Sequence, residues 1–344
     1  MSHGAAEPES VLVYVGLDLV GDGLMKLPFA RALRNACPGA RIVWLAGKGR
    51  STYAGVLAPL VDGLIDTVVE EGGVGLGWDE MLRPALAGTP LAGQRFDLVL
   101  DTQRRVKTTL LLRRIPHRIF VSGAAGYWLS DRRPPRGHRR PPAMIRQMLD
   151  LLEAATGRPA VPTVARVVDP ESAAVADRLL AGYGRLVGFA PGAGGRQKCW
   201  PLDRFIELAR RVAARGRSPA FLLGPDEADW AARIRDALPD AVLPLQDPAA
   251  GALAGSPLLT IAVATHLDAA VANDSGGGHM LAAADIPLLS LFGPTPPAKF
   301  APFVSRGAVV RAQDFGGTGM DAIPVDAVDA ALETLLAAAR YGHR

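Results

Sequence analysis

Cysteine is nearly absent from this chain of 344 residues: Cys37 and Cys199 are the only two. That is too few for a disulfide framework or for a zinc site built on cysteine alone, so both read as plain thiols. Long apolar runs are missing as well. None reaches the roughly 18 uninterrupted residues of a membrane-spanning helix. The N-terminus, with Glu7, Pro8 and Glu9 ahead of the first apolar stretch, lacks the basic and then apolar order of a signal peptide. The expected location is therefore cytoplasmic. No Asp-x-Asp pair of the kind that carries a divalent cation occurs. Lysine is scarce, 5 residues against 33 arginines, which singles out Lys26, Lys48, Lys107, Lys198 and Lys299.

What is present is apolar residues and turn formers. A hydrophobic fraction of 49% excludes a largely disordered chain. The 38 glycines and 28 prolines imply many tight turns, which favours an alternating α/β chain over a helical bundle. Apolar strand runs are expected at Val11 to Val15, Arg41 to Ala46, Gly63 to Val69, Phe96 to Asp101 and Arg118 to Ser122. Helices are expected from Leu24 to Ala36 and from about Ala143 to Ala155. Gly157 to Pro162 reads as a linker, after which the alternation restarts. Strands are expected at Leu186 to Ala190, Ala220 to Leu223, Ala269 to Ala272 and Pro287 to Phe292, with helices at Asp203 to Ala214, Glu227 to Leu238 and Val325 to Arg340. Short apolar strands separated by helices are what a parallel sheet demands. The expectation is two Rossmann-like domains, residues 1–160 and 161–344, with parallel sheets facing a central cleft at the strands' carboxyl ends. The terminal helix is a candidate to pack back on the first domain.

Four glycine-rich or acidic turns follow apolar strands. Gly21-Asp22-Gly23-Leu24 places a carboxylate where it could take a proton from a hydroxyl, or where it merely caps a helix; spacing alone favours the cap. Pro191-Gly192-Ala193-Gly194-Gly195, followed by Lys198 and Trp200-Pro201, offers a flexible turn and a compact cation for phosphate oxygens, or a solvated lysine. It is not a P-loop, which needs Gly-Lys-Ser/Thr. Gly224-Pro225-Asp226-Glu227 offers acids for ribose hydroxyls or a cap by Asp226. Asn273-Asp274-Ser275-Gly276-Gly277-Gly278-His279 is the most specific, because amides opening a helix suit a diphosphate and the glycines admit its oxygens.

Together these turns resemble glycosyltransferase family 9, the lipopolysaccharide heptosyltransferases of the GT-B fold. The resemblance is carried in order by Gly21-Asp22 with Leu27-Pro28, Phe96-Asp97-Leu98-Val99-Leu100-Asp101-Thr102-Gln103, Lys198 with Trp200-Pro201, Asn273-Asp274-Ser275-Gly276 with His279, and Leu291-Phe292-Gly293-Pro294-Thr295. It implies an inverting transfer of a sugar, with ADP-heptose the leading donor, onto a lipopolysaccharide core or related glycan. Asp22 then matches the base and Lys198 the phosphate-binding cation. Gly194, Glu227, Asp274, Ser275, Gly276, Gly277 and His279 match the donor site, and Lys107 with Arg104 and Arg105 the acceptor side. No metal or other cofactor is implied beyond the nucleotide-sugar. The chain departs from the family pattern at Gly16, Leu17 and Asp18 and at Gly195. An epimerase-like enzyme of the same fold and a non-catalytic nucleotide-sugar binder are the competing classes.

The net charge of +4 conceals an asymmetry: residues 102–149 carry +11 and the rest −7. Arg132, Arg133, Arg136, His138, Arg139 and Arg140 alternate with prolines. That suits a solvated loop, or attraction to anionic lipid headgroups at the inner membrane or to an acidic glycolipid. Nucleic acid ranks last as a partner, since only Tyr127 and Trp128 could stack.

Overall fold

The computed structural model describes residues 7–17, 19–74 and 84–341. They divide into two compact units, residues 1–163 and 164–344. The first contains β1 (Ser10–Val15), α1 (Val20–Ala36), β2 (Arg41–Ala46), α2 (Ala58–Val61), β3 (Thr67–Val69), β4 (Phe96–Asp101), α3 (Val106–Leu112), β5 (His117–Ser122) and α4 (Met144–Thr156). The second contains α5 (Pro170–Leu179), β6 (Leu186–Ala190), α6 (Leu202–Ala214), β7 (Ser218–Phe221), α7 (Trp230–Ala237), α8 (Pro257–Ala264), β8 (Leu267–Asn273), α9 (Gly276–Ala283), β9 (Leu288–Phe292), α10 (Pro297–Phe300), β10 (Gly307–Arg311) and α11 (Val325–Tyr341).

Each unit folds around its own five-stranded sheet, in the orders β3-β2-β1-β4-β5 and β10-β9-β8-β6-β7. Every strand pair is parallel. The central strands are buried almost throughout, as expected of sheets covered on both faces. In the first unit β1 is followed in sequence by β2 on one side and neighbours β4 on the other. In the second unit β6 lies in the same way between β7 and β8. At such a reversal adjacent loops leave in opposite directions and open a crevice at the carboxyl ends, where open α/β sheets bind ligands.

Several elements differ from the sequence expectation, each for a local reason. Helix α1 begins at Val20, one turn before Leu24, so Gly21, Asp22 and Gly23 are helical and the N-cap is Leu19, not Asp22. Gly23 is retained there for packing. A Cβ on it would lie 2.7 Å from the Thr52 hydroxyl, and its carbonyl accepts a 2.7 Å bond from the Tyr53 hydroxyl. Strand β3 starts at Thr67 because Gly63 adopts a left-handed φ of 68° within a turn. Helix α7 starts at Trp230, preceded by a separate short turn, Pro225–Glu227. Helices α2, α3, α5, α8 and α10 and the edge strand β10 have no counterpart in the sequence expectation. Helix α11 lies against β8, β9, β10 and α6 of its own unit.

The second core joins Phe189, Trp200, Phe205 and Phe221 to Val328, Leu332 and Leu336 of α11. Leu332 is fully buried. Leu332→Ala should therefore cost roughly 2–5 kcal/mol, read as a lowered urea midpoint by circular dichroism; a loss well under 1 kcal/mol would contradict this packing.

Candidate functional site

At the second unit's crevice three loops are tied together by two consecutive side chains at the end of β8. Asn273 is buried; its amide nitrogen donates to the Pro191 carbonyl at 2.7 Å, and its oxygen accepts from the Trp200 N–H at 3.1 Å. Asp274 Oδ2 accepts from Lys198 Nζ at 3.0 Å and from the Thr295 hydroxyl at 2.6 Å. The loops after β6, β8 and β9 are thereby fixed around one point. The Trp200 indole, fully buried, donates to the Ile323 carbonyl and anchors the far side of the first loop.

Ser275 is the N-cap of α9, its hydroxyl accepting from the Gly278 N–H at 3.3 Å. The following Gly276 and Gly277 open the helix, and a Cβ on Gly276 or on Gly194 would meet nothing within 4 Å. Gly276 and Gly277 border the cavity described next, and the helix dipole favours negative charge at that end. Lys198 stands at the same edge, partly exposed. Its counterion Asp274 gives it a fixed position. The Asp274 carboxylate would itself repel an anion, so its role is to hold Lys198 and Thr295 rather than to touch phosphate. His279 is buried within α9.

Beside the amides lies a cavity of about 180 Å³ lined by Gly192, Glu227, Leu245, Thr260, Ser275 and Met280, among others. Glu227 Oε2 accepts from the Gly224 N–H at 3.1 Å. Its carboxyl packs closely on Gly192: a Cβ there would sit 2.4 Å from it, so a larger residue would displace the Glu227 side chain. Burial, and then the charge of Asp226, push the Glu227 carboxyl above its ordinary value, while the Gly224 amide opposes them. Asp226 is exposed and does not cap α7. Glu227, the acid that the resemblance assigns to the donor site, is buried at the cavity wall, and exposed Asp226 also borders the cavity.

In the first unit the reversal lies between β1 and β4. Thr102 donates through both its amide and its hydroxyl to the Tyr14 carbonyl, and Gly16 lies so close to Gln103 that a Cβ would be 2.6 Å from its side-chain oxygen. Behind Gln103, fully buried Asp101 accepts from the Gln103 amide, from the Thr109 hydroxyl at 2.6 Å and from the Ser122 hydroxyl at 2.8 Å. Burial pushes the Asp101 carboxyl up and these three donors counter it. The motif Phe96 to Gln103 drew attention, but this role of Asp101 was missed; two hydroxyls distant in sequence complete it.

Asp22 occupies the first turn of α1, partly exposed and with no hydrogen-bond or ion-pair partner among the described residues. Lys26, buried one turn on, donates to the Leu17 carbonyl. Asp18 lies outside the described residues. Arg104, at a left-handed φ of 56°, donates to Gln147, and its guanidinium is pulled below its ordinary range by burial and then by Arg140. Arg105 is exposed at the N-cap of α3, and Lys107 follows on its first turn.

The chain matches the model of glycosyltransferase family 9 (heptosyltransferase) over residues 87–317. That span contains Lys107, Lys198, Glu227 and Asp274 to His279, and begins after Asp22. Lipopolysaccharide heptosyltransferase 1 of Pseudomonas aeruginosa is 30% identical over 86% of this chain and 82% of its own. Lipopolysaccharide heptosyltransferase 2 of Salmonella typhimurium is 26% identical over 87% of each. Among solved structures, E. coli heptosyltransferase WaaC with ADP covers 95% of this chain and 99% of its own, with a TM-score of 0.66 at 19% identity.

Charge-assisted hydrogen bonds are typically worth roughly 1.5–3 kcal/mol. Lys198→Ala should accordingly weaken binding of a nucleoside diphosphate by about ten- to a hundredfold in calorimetric titration; unchanged affinity would remove Lys198 from the site.

Proposed function

Because the chain belongs to glycosyltransferase family 9, we propose that it transfers heptose from ADP-heptose to a sugar hydroxyl of a lipopolysaccharide core acceptor. As a member of that family it is a glycosyltransferase that uses a nucleotide-sugar donor. The observation that carries the finer reading is the arrangement of Lys198 and the amides of α9 beside the Glu227 cavity. It offers cationic and dipolar groups for a diphosphate and a buried carboxylate for ribose hydroxyls, with Leu245 and Met280 as apolar walls for a base. The same class of ligand is named for the solved WaaC relative, which holds ADP.

In this reading the reaction is a single displacement with inversion. The acceptor oxygen forms a bond to the anomeric carbon as the bond from that carbon to the diphosphate oxygen breaks, and its electron pair leaves with ADP. Asp22 takes the acceptor's hydroxyl proton. Lys198 and the amides of Gly276 and Gly277 stabilise the charge that grows on the departing diphosphate, and one such donor is typically worth roughly 3 kcal/mol in the transition state. These groups supply what a divalent cation supplies elsewhere, so transfer is proposed to be independent of metal. Arg104, Arg105 and Lys107 on the other unit suit an acceptor carrying phosphates or sugar acids.

The test is transfer of labelled heptose from ADP-heptose to a core-truncated lipopolysaccharide. Asp22→Asn should lower the rate by about 10²- to 10⁴-fold while ADP still binds, and a chelator should leave the wild-type rate unchanged. Transfer retained by Asp22→Asn would remove it as base; loss in chelator, restored by a divalent cation, would overturn the metal-free mechanism.

A further inference from the structure

The turn after β5 exposes its largest apolar side chain by construction. Ala125, Gly126 and Tyr127 all have positive φ, at 47°, 64° and 68°. Three successive left-handed residues, two of them not glycine, are backbone strain of a kind that persists only where the surroundings enforce it. The consequence is a reversal of the expected exposure of neighbours: Tyr127 is buried at 4%, and Trp128 stands out at 72%. Trp44 and Trp200, by contrast, are fully buried. The loop is held in this state by two guanidinium groups. Arg113 donates to the Leu129 carbonyl at 2.6 Å and Arg133 to the Trp128 carbonyl at 3.1 Å. Exposure of Trp128 is therefore a fixed feature of this turn.

The surrounding charge is of one sign. Asp131, the sole acid of residues 102–149, is occupied by Arg113, His117 and the Phe120 amide. Asp150 and Glu153 at the edge of the same segment are taken by Arg146 and His138. Among the described residues, Arg133, Arg136, Arg139 and Arg140 have no acidic partner, and all four are exposed. Arg136 and Arg139 have no polar partner of any kind there. An indole beside guanidinium groups that lack counterions matches the chemistry of a membrane interface. Tryptophan settles at headgroup level, and arginine pairs with phosphate in a fork. A single exposed aromatic does not make the stacking platform of a nucleic-acid groove. No helix among the described residues is long and apolar enough to cross a bilayer, so contact of this kind would be peripheral.

We propose that the Trp128 turn and Arg133, Arg136 and Arg139 dock the protein on the surface of a bilayer containing anionic phospholipid. The proposal rests on the reading that the acceptor is a membrane glycolipid, since docking brings the acceptor unit to the bilayer that holds it.

The experiment uses the full chain and vesicles without any glycolipid: phosphatidylcholine alone, and phosphatidylcholine mixed with phosphatidylglycerol. Sedimentation should show binding to the mixed vesicles only, weakening as salt rises. Brominated lipid should quench tryptophan fluorescence in wild type and not in Trp128→Phe. Arg133→Gln, Arg136→Gln and Arg139→Gln together should weaken binding on the order of 100-fold, about fivefold for each charge at an anionic surface. ADP affinity, measured on the same variants, should be unchanged and reports that they are folded. No binding at low salt, equal binding to both vesicle types, capture by RNA in preference to vesicles, or a triple variant that binds like wild type would overturn the proposal. Loss of heptose transfer in a protein that still docks would instead count against the proposed activity.

Discussion

The arrangement depends most on the Asn273 side chain. It sits at the end of the strand where the second sheet reverses direction and spends both ends of its amide on other loops, one on the Pro191 carbonyl and one on the Trp200 N–H. A buried amide satisfied in this way is a rigid connector, because breaking either bond leaves a polar group without water. Lys198 lies two residues before Trp200 and Asp274 one after Asn273. The position of the cation relative to the amides of α9 therefore follows from that connector, and the Lys198–Asp274 ion pair completes it.

The two units use one principle differently. In the second, the reversal point holds glycines, a cation and helix amides, a set suited to a diphosphate. In the first, it holds a buried carboxylate, Asp101, which spends its charge on one amide and two hydroxyls and fixes the loop bearing Gln103 against Gly16. Asp22 has no such engagement and stays at the surface of the first turn of α1. One acid braces the loop; the other makes no side-chain contact of this kind among the described residues.

Much of this was legible in the sequence where a local rule and the tertiary structure agree. Apolar runs ending in Gly-rich turns marked β1, β6 and β8 because a doubly covered parallel strand and the loop after it each have a composition of their own. The same signal marked the turn Asn273 to His279, in which Ser275 caps α9. Gly21 to Gly23 was misread as a loop, since glycine normally weakens a helix and only Thr52 and Tyr53, some thirty residues on, explain why α1 needs it. Glu227 was named through the resemblance and not from the turn alone, which offers two adjacent acids; their burial differs, Glu227 lying against Gly192 while Asp226 is exposed. Strand β10, half exposed at a sheet edge, and α3, which opens without a side-chain cap, carry little local signal. The basic segment was visible as charge; that Trp128 is presented within it depends on three left-handed residues that composition does not encode.

The central claim is that the second unit holds the diphosphate and nucleoside of the sugar donor. Calorimetric titration of the wild-type protein with ADP, UDP and GDP tests it most directly. The account predicts saturable one-site binding with ADP tightest of the three. Failure of all three to bind would contradict it, and a clear preference for UDP or GDP would contradict ADP-heptose as the donor.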